Sequence, residues 1–235
     1  MNRSQENNNA SAWESEYRDP KFLTMGKEPL TDVKDFVRWL RRKEKIDMSD
    51  FVVLDLGCGN GKNLKYIVEN YAASGIGYDI SQTAISVARE LADGASLEYH
   101  VRSIAESFPL EDSSIDLVLD VTSSNSLVNN ERAKFLSEIS RVLKPTSFLF
   151  TRALCKDGDT NAKNLIKQFP GSEPDTYILG ETGITERVFS KEDFENTYCE
   201  YFEIVHLEKT SGYQKWGNQS YKRNYWVAYL KNKKI

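Results

Sequence analysis

Asp55, Gly57, Gly59 and Gly61 stand in the order D-x-G-x-G-x-G, and a second acid, Asp79, follows 24 residues after Asp55. Glycines at this spacing let a chain turn tightly and bring its backbone against a ligand. A helix opening just after them would add unpaired N–H groups facing the same place. An acid at the end of the next strand can grip ribose hydroxyls. The spacing therefore points to a ligand with a nucleoside part. The nicotinamide fingerprint G-x-G-x-x-G is broken, because its last glycine would fall on Lys62. The phosphate loop is broken too, since Asn63 stands where Ser or Thr would hold magnesium and the four-residue spacer is missing. Cys58, Cys155 and Cys199 are odd in number and form no C-x-x-C, so neither a disulfide framework nor a zinc knuckle is expected. His100 and His206 lie far apart in strand-like surroundings, and no metal site is predicted.

The elements that must place this loop are legible as alternation. Phe51–Gly57, Ser74–Ile80, Leu97–Ser103, Ile115–Val121 and Ser147–Leu154 read as strands. Between them, apolar residues fall at helical spacing: Leu64, Ile67, Val68 and Tyr71; Ala84, Ile85, Ala88 and Leu91 after a capping Ser81; and Phe135 to Leu143 ahead of Pro145. Before them, Val33, Phe36, Val37 and Leu40 form one helical stripe after Pro29. Phe202–Thr210 and Tyr225–Asn232 read as two last strands, with a helix opened by Ser190 just ahead of them. The predicted fold is α/β, a Rossmann-like doubly wound sheet of seven strands, mostly parallel with a C-terminal antiparallel hairpin. Residues 1–12 read as a disordered polar tail, and 13–235 as a single domain. Within it, 13–46 would form an N-terminal lid and 155–188 an irregular substrate-side excursion with one short helix near Ala162–Phe169. The chain has 235 residues, is 40% hydrophobic and carries a formal charge of −4, which gives no global attraction to nucleic acid. The longest run without Asp, Glu, Lys or Arg, Val121–Asn130, is too short and too polar to cross a membrane, and the start lacks a signal-peptide apolar stretch. A cytoplasmic, soluble protein is expected.

The segments DLGCGNG (Asp55–Gly61), YDIS (Tyr78–Ser81), AESFPLEDSSIDLV (Ala105–Val118) and RVLKP (Arg141–Pro145) together resemble the successive motifs of class I S-adenosylmethionine-dependent methyltransferases, over about residues 51–152. The resemblance implies a methyl-transferring enzyme that uses S-adenosylmethionine and releases S-adenosylhomocysteine. It implies that Gly57, Cys58, Gly59 and Gly61 border the methionine part, with Asp55 holding its amino end or ordering the loop. Asp79 would accept from the ribose diol and Ile80 pack on adenine. Ile104 and Ala105 follow the third strand where the family commonly has Asp-Ala. Ile104 cannot accept a hydrogen bond through its side chain, so adenine would be held by backbone or by a neighbour such as Ser103 or Glu106. Val121 and Thr122 would floor the site near the sulfonium. Trp13 and Tyr17, one helical turn apart, resemble the leading segment that folds over the cofactor in small-molecule methyltransferases, or else simply anchor packing.

The acceptor is less legible. Asp120, ending the fourth strand, is the candidate catalytic carboxylate, with a structural hydrogen-bonding role as the alternative. DVTSSNSL (Asp120–Leu127) lacks both the N/D-P-P-Y of adenine-N6 enzymes and the cysteine of C5-pyrimidine enzymes. A small-molecule acceptor methylated on N, O or S is the leading expectation. The rivals are an RNA-modifying enzyme, for which Lys215, Trp216, Tyr221, Lys222 and Arg223 in the loop Gly212–Asn224 would supply the contacts, and a catalytically silent partner-binding module. Arg152 could pair a substrate carboxylate or a neighbouring acid. A branched side chain at Gly59 is expected to stand in the cofactor's path.

Overall fold

The computed structural model describes residues 3–21, 26–216 and 219–234. In chain order the elements are α1 (Arg3–Arg18), α2 (Thr31–Arg42), β1 (Val52–Leu56), α3 (Lys62–Asn70), β2 (Ser74–Asp79), α4 (Gln82–Leu91), β3 (Leu97–Val101), β4 (Ile115–Val121), α5 (Asn129–Val142) and β5 (Leu143–Leu154). They continue with α6 (Thr160–Gln168), β6 (Thr176–Leu179), β7 (Ile184–Arg187), α7 (Lys191–Tyr198), β8 (Phe202–Trp216) and β9 (Gln219–Asn232). Seven strands form one sheet in the order β3-β2-β1-β4-β5-β9-β8. The first five run parallel, and β9 is antiparallel to both β5 and β8. Strand order reverses between β1 and β4, and a crevice opens there at the carboxyl ends of the strands.

The two faces of the sheet follow from the period of two along each strand. Leu54, Val118, Leu149 and Ala228 point to one side, where Phe135 and Ile139 of α5 and Phe194 and Tyr198 of α7 cover them. Val53, Leu117, Phe150 and Val227 point to the other, against Val33 and Phe36 of α2, Leu64 and Ile67 of α3 and Ile85 of α4. Burying a Leu- or Phe-sized side chain contributes about 1.5–3 kcal/mol, so β4, buried through its first six residues, anchors the layer. Ser81 and Ser190 cap α4 and α7 by accepting from Ala84 N and Asp193 N, as their sequence positions predict.

Three expectations are corrected. Residues 3–12, read as a disordered tail, belong to α1, whose Ala12 and Trp13 pack on a third apolar cluster; residues 1 and 2 lie outside the described part. The excursion is more ordered than its glycines and prolines suggest. Asp159 caps α6 through Ala162 N, and β6 and β7 pair as a small antiparallel sheet. Tyr177, Leu179, Ile184 and Val188 give this unit its own core with Ala162 and Tyr225. Gly212–Asn224, read as a loop, is mostly strand: β8 and β9 pair out to Trp216 and Gln219, beyond the reach of β5, whose last partner is Tyr225.

Candidate active site

A cavity of about 380 Å³ opens at the carboxyl edge, across the reversal between β1 and β4. Gly57, Cys58 and Gly59 wall it after β1, Asp79 and Ile80 after β2, and Ser103, Ile104 and Ala105 after β3. Val121 and Thr122 form the floor after β4, and Trp13 and Tyr17 cover it from α1. These twelve residues were all anticipated from sequence. Asp55, Gly61 and Asp120 were anticipated too, but they stand behind the wall and not in it.

Asp120 is the clearest correction. It is fully buried, Ser123 Oγ donates to its Oδ1 at 2.7 Å, and Ser124 donates to it through Oγ at 2.6 Å and N at 3.1 Å. A carboxylate so engaged pins the turn after β4 and is turned away from the cavity. Gly61 lies behind the loop, where the Tyr99 hydroxyl donates to its carbonyl at 3.3 Å. Gly57 is needed for packing: a Cβ there would lie 2.2 Å from Ser123 Cβ. Gly59 has φ +56°, and its Cβ would meet the Tyr17 hydroxyl at 2.9 Å. α1 thus touches the loop at Gly59, so a branched residue there would strike Tyr17 first.

The electrostatics of the donor half centre on three acids. Burial, reinforced by Asp79 and Asp120, pushes Asp55 up to about 8. Burial also raises Asp79 to about 6, against hydrogen bonds from Ser81 N and Gly59 N, each at 2.9 Å. Asp120 is likewise raised by burial, against its serine partners. Asp55 Oδ2 is buried without a hydrogen-bond partner among the described residues. A buried acid cluster with one orphaned oxygen suits a ligand carrying ammonium and sulfonium charge. Burial, and then Asp79 and Asp55, raise the Cys58 thiol well above the ordinary value, which disfavours its thiolate. Thr122 holds φ +57°, an uncommon posture for a β-branched residue, with its N donating to Arg152 O at 2.7 Å. Such backbone costs about 1–3 kcal/mol and tends to mark functional sites.

α1 is fixed across the cavity at two points. Glu14 accepts from Ser81 Oγ and Thr83 Oγ1 at 2.7 Å and from Thr83 N at 3.1 Å. Burial pulls Glu14 upward, but the bonds from Thr83 and Ser81 and the charge of Arg18 bring it down to about 2. At the other point Asn9 Nδ2 donates to Ser126 O at 3.2 Å. Asn9, Trp13 and Tyr17 recur every four residues on the face toward the cavity, a period that could have exposed Asn9 in the sequence.

The remaining wall was largely missed. It includes Lys62, Asn63, Ser123, Ser126, Leu127, Glu131, Arg152, Leu154, Glu186, Tyr213, Gln214 and Tyr225. Arg152 Nε pairs with Asp32 Oδ2 at 2.9 Å, and its guanidinium lies 3.4 Å from the centre of the Tyr225 ring. Glu186 begins a buried chain. Tyr177 Oη donates to Glu186 at 2.5 Å, Arg223 Nη2 donates to Tyr177 Oη at 2.7 Å, and Arg223 Nε meets Asp159 at 3.3 Å. Arg223 is therefore corrected from an RNA-contact candidate to an internal brace, 1% exposed. Tyr221 and Lys222 remain on the outer hairpin, while Gly217 and Asn218, at its tip, lie outside the described residues.

The strand order, the glycine loop and the acid after β2 define a doubly wound α/β protein with a cavity at its switch point, where folds of this kind bind ligands. Residues 53–146, the stretch that holds the glycine loop and Asp79, match the methyltransferase domain family. One curated relative is phthiotriol/phenolphthiotriol dimycocerosates methyltransferase 1 of Mycobacterium ulcerans (strain Agy99). It is 30% identical over 138 residues, covering 58% of this chain and 50% of that protein. The chain thus aligns with about half the length of that relative. Among solved structures, an S-adenosylmethionine-dependent methyltransferase of Methanosarcina mazei superposes with TM-score 0.69 at 24% identity, over 81% of this chain and 96% of that one. The 1,6-didemethyltoxoflavin-N1-methyltransferase of Burkholderia thailandensis, with 1,6-didemethyltoxoflavin and S-adenosylhomocysteine bound, gives 0.71 at 14% identity, over 100% and 91%. Both establish the shared fold.

Proposed function

We propose that this chain transfers a methyl group from S-adenosylmethionine to a nitrogen, oxygen or sulfur atom of a small-molecule acceptor. The observation that carries this reading is that one cavity runs from Gly59 and Asp79 to Arg152, Leu154 and Tyr225. Donor and acceptor would share a chamber of small-molecule size, walled by apolar and polar side chains together. The names of the M. ulcerans and B. thailandensis proteins, which act on non-polymeric compounds, support the same class.

When bound, S-adenosylmethionine supplies an activated methyl group. In this reading Asp79 accepts from the ribose hydroxyls, and Ile80 with Ser103, Ile104 and Ala105 borders adenine. Gly57, Cys58 and Gly59 approach the methionine part, and Asp55 orders that loop from behind the wall. Gly61 and Asp120 shape the loops from behind. Trp13 and Tyr17 close over the site, which makes α1 part of one catalytic unit spanning 13–235. The protein's contribution is to hold donor and acceptor in line and exclude water, an effect worth up to roughly 7–11 kcal/mol in well-oriented systems.

The test is incubation of the purified protein with methyl-labelled S-adenosylmethionine and fractions of a cell extract. Label in a compound that passes a small-pore filter is expected. Label only in RNA would replace the acceptor class. Cofactor binding with no label in any fraction would leave a silent module.

A further inference from the structure

We propose that the acceptor half of the cavity is an oxyanion subsite built by Lys62 and Arg152, so that the methyl acceptor carries a carboxylate or phosphate group. The inference rests on the methyltransferase reading above and narrows its substrate class.

Lys62, the first residue of α3, lines the cavity, and among the described residues it has neither a hydrogen-bond acceptor nor an ion-pair partner. Burial, and next the positive charge of Arg152, lowers its ammonium below the ordinary value. Arg152 lines the same cavity and is paired with Asp32 through a 2.9 Å bond from Nε. The Tyr225 ring, 3.4 Å from its guanidinium, holds the group in place. Glu131 and Glu186 also line the cavity, but Val128 N donates to the first and Tyr177 Oη to the second, and neither pairs with Lys62 or Arg152, so among the described residues the half-buried Lys62 ammonium has no counter-ion. The three acids under the glycine loop do not neutralise it: Asp55 and Asp120 stand behind the wall, and Asp79 is engaged by Gly59 N and Ser81 N. A ligand oxyanion spanning Lys62 and Arg152 would satisfy both, with the guanidinium offering a planar pair of donors.

The position favours the acceptor over the cofactor's own carboxylate. Arg152 ends β5, which is two strands from β1 in the sheet. At strand spacings of 4.7–4.9 Å this sets Arg152 about 10 Å from the glycine loop. It stands beside Leu154 and Tyr225, on the side of the cavity away from Asp79, Ile80 and Ser103.

The experiment compares the full-length protein with Lys62→Met, which keeps the apolar stem and removes the charge. Each is saturated with S-adenosylhomocysteine and titrated calorimetrically with inorganic phosphate and, separately, with acetate. Wild type is expected to bind one of the two, which names the anion, and Lys62→Met to bind it at least roughly tenfold more weakly. Its affinity for S-adenosylhomocysteine should change less than twofold. Two results overturn the proposal: no anion binding to the wild-type complex, or a tenfold loss of S-adenosylhomocysteine affinity in Lys62→Met, which would assign the charge to the cofactor's carboxylate. Failure of the methyltransferase reading registers separately, as an inability of wild type to bind S-adenosylhomocysteine at all.

Discussion

The two halves of the carboxyl edge are made by different means. On the side of β1, β2 and β3, the wall is backbone and short loops: Gly57 and Gly59, the turn at Asp79–Ser81, and Ser103–Ala105. On the side of β5 and β9, it is long side chains brought from distant parts of the sequence, Arg152 on Asp32 and Glu186 through Tyr177 to Arg223 and Asp159. On the proposed reading the first half is the receptacle for the donor's nucleoside. The second is a set of side chains whose identity can change without altering the fold, which is where specificity for an acceptor has room to reside.

The sharpest way to separate the halves is Arg223→Met. It leaves Glu186 and Asp159 as uncompensated buried acids, and breaking such a pair costs about 3–5 kcal/mol. Urea unfolding should show that loss, while S-adenosylhomocysteine affinity of the folded protein stays within twofold. A matching fall in cofactor affinity would mean the halves are coupled.

Gly59→Val should do the reverse. A branched residue at φ +56° costs about 1–2 kcal/mol in backbone alone, and displacing Tyr17 adds to it. Cofactor binding should weaken by at least tenfold, with the circular dichroism of the folded protein retained. Unchanged affinity would show that the loop is not where the cofactor sits. Asp79→Ala follows, at about 1–3 kcal/mol of binding if it accepts from ribose; a negligible change by calorimetry would reject that role.

The smallest effect concerns α1. Glu14 titrates near 2 in the folded protein, below its ordinary 4.5, so its clasp is complete above about pH 4.5 and is lost as pH falls toward 2. Amide exchange across residues 9–18 should accelerate over that window and be already fast, and nearly pH-independent after correction for intrinsic rates, in Glu14→Gln. Equal protection in both proteins would place the anchor at Asn9 instead.

The same contrast explains what the sequence could disclose. All seven strands of the main sheet and the cofactor half of the cavity are legible because they depend on local pattern: apolar runs, a glycine spacing, an acid at a strand end. The hairpin β6–β7 and the anchors Glu186 and Arg223 are not, because their meaning depends on contacts spanning tens of residues. The glycines and prolines of the excursion mark its turns and hide the strands between them. Arg223 looks like a surface cation beside Lys222, and only the alternation of β9 turns one outward and the other in. Asp120 misleads for a related reason: the strand end that makes it look available is where two serines fold back onto it.

The acid cluster under the glycine loop has a consequence for the energetics of binding. With Asp55 titrating at about 8, the ligand-free protein holds a proton there near neutral pH. On the proposed reading, a cationic ligand seated on the glycine loop in front of Asp55 favours its ionised form, so association would expel part of a proton into the buffer. The heat of binding should then vary with the ionisation enthalpy of the buffer, and affinity should climb as pH rises from 6 toward 8. On that reading the methyl donor and the hydrogen ion would compete through one carboxylate.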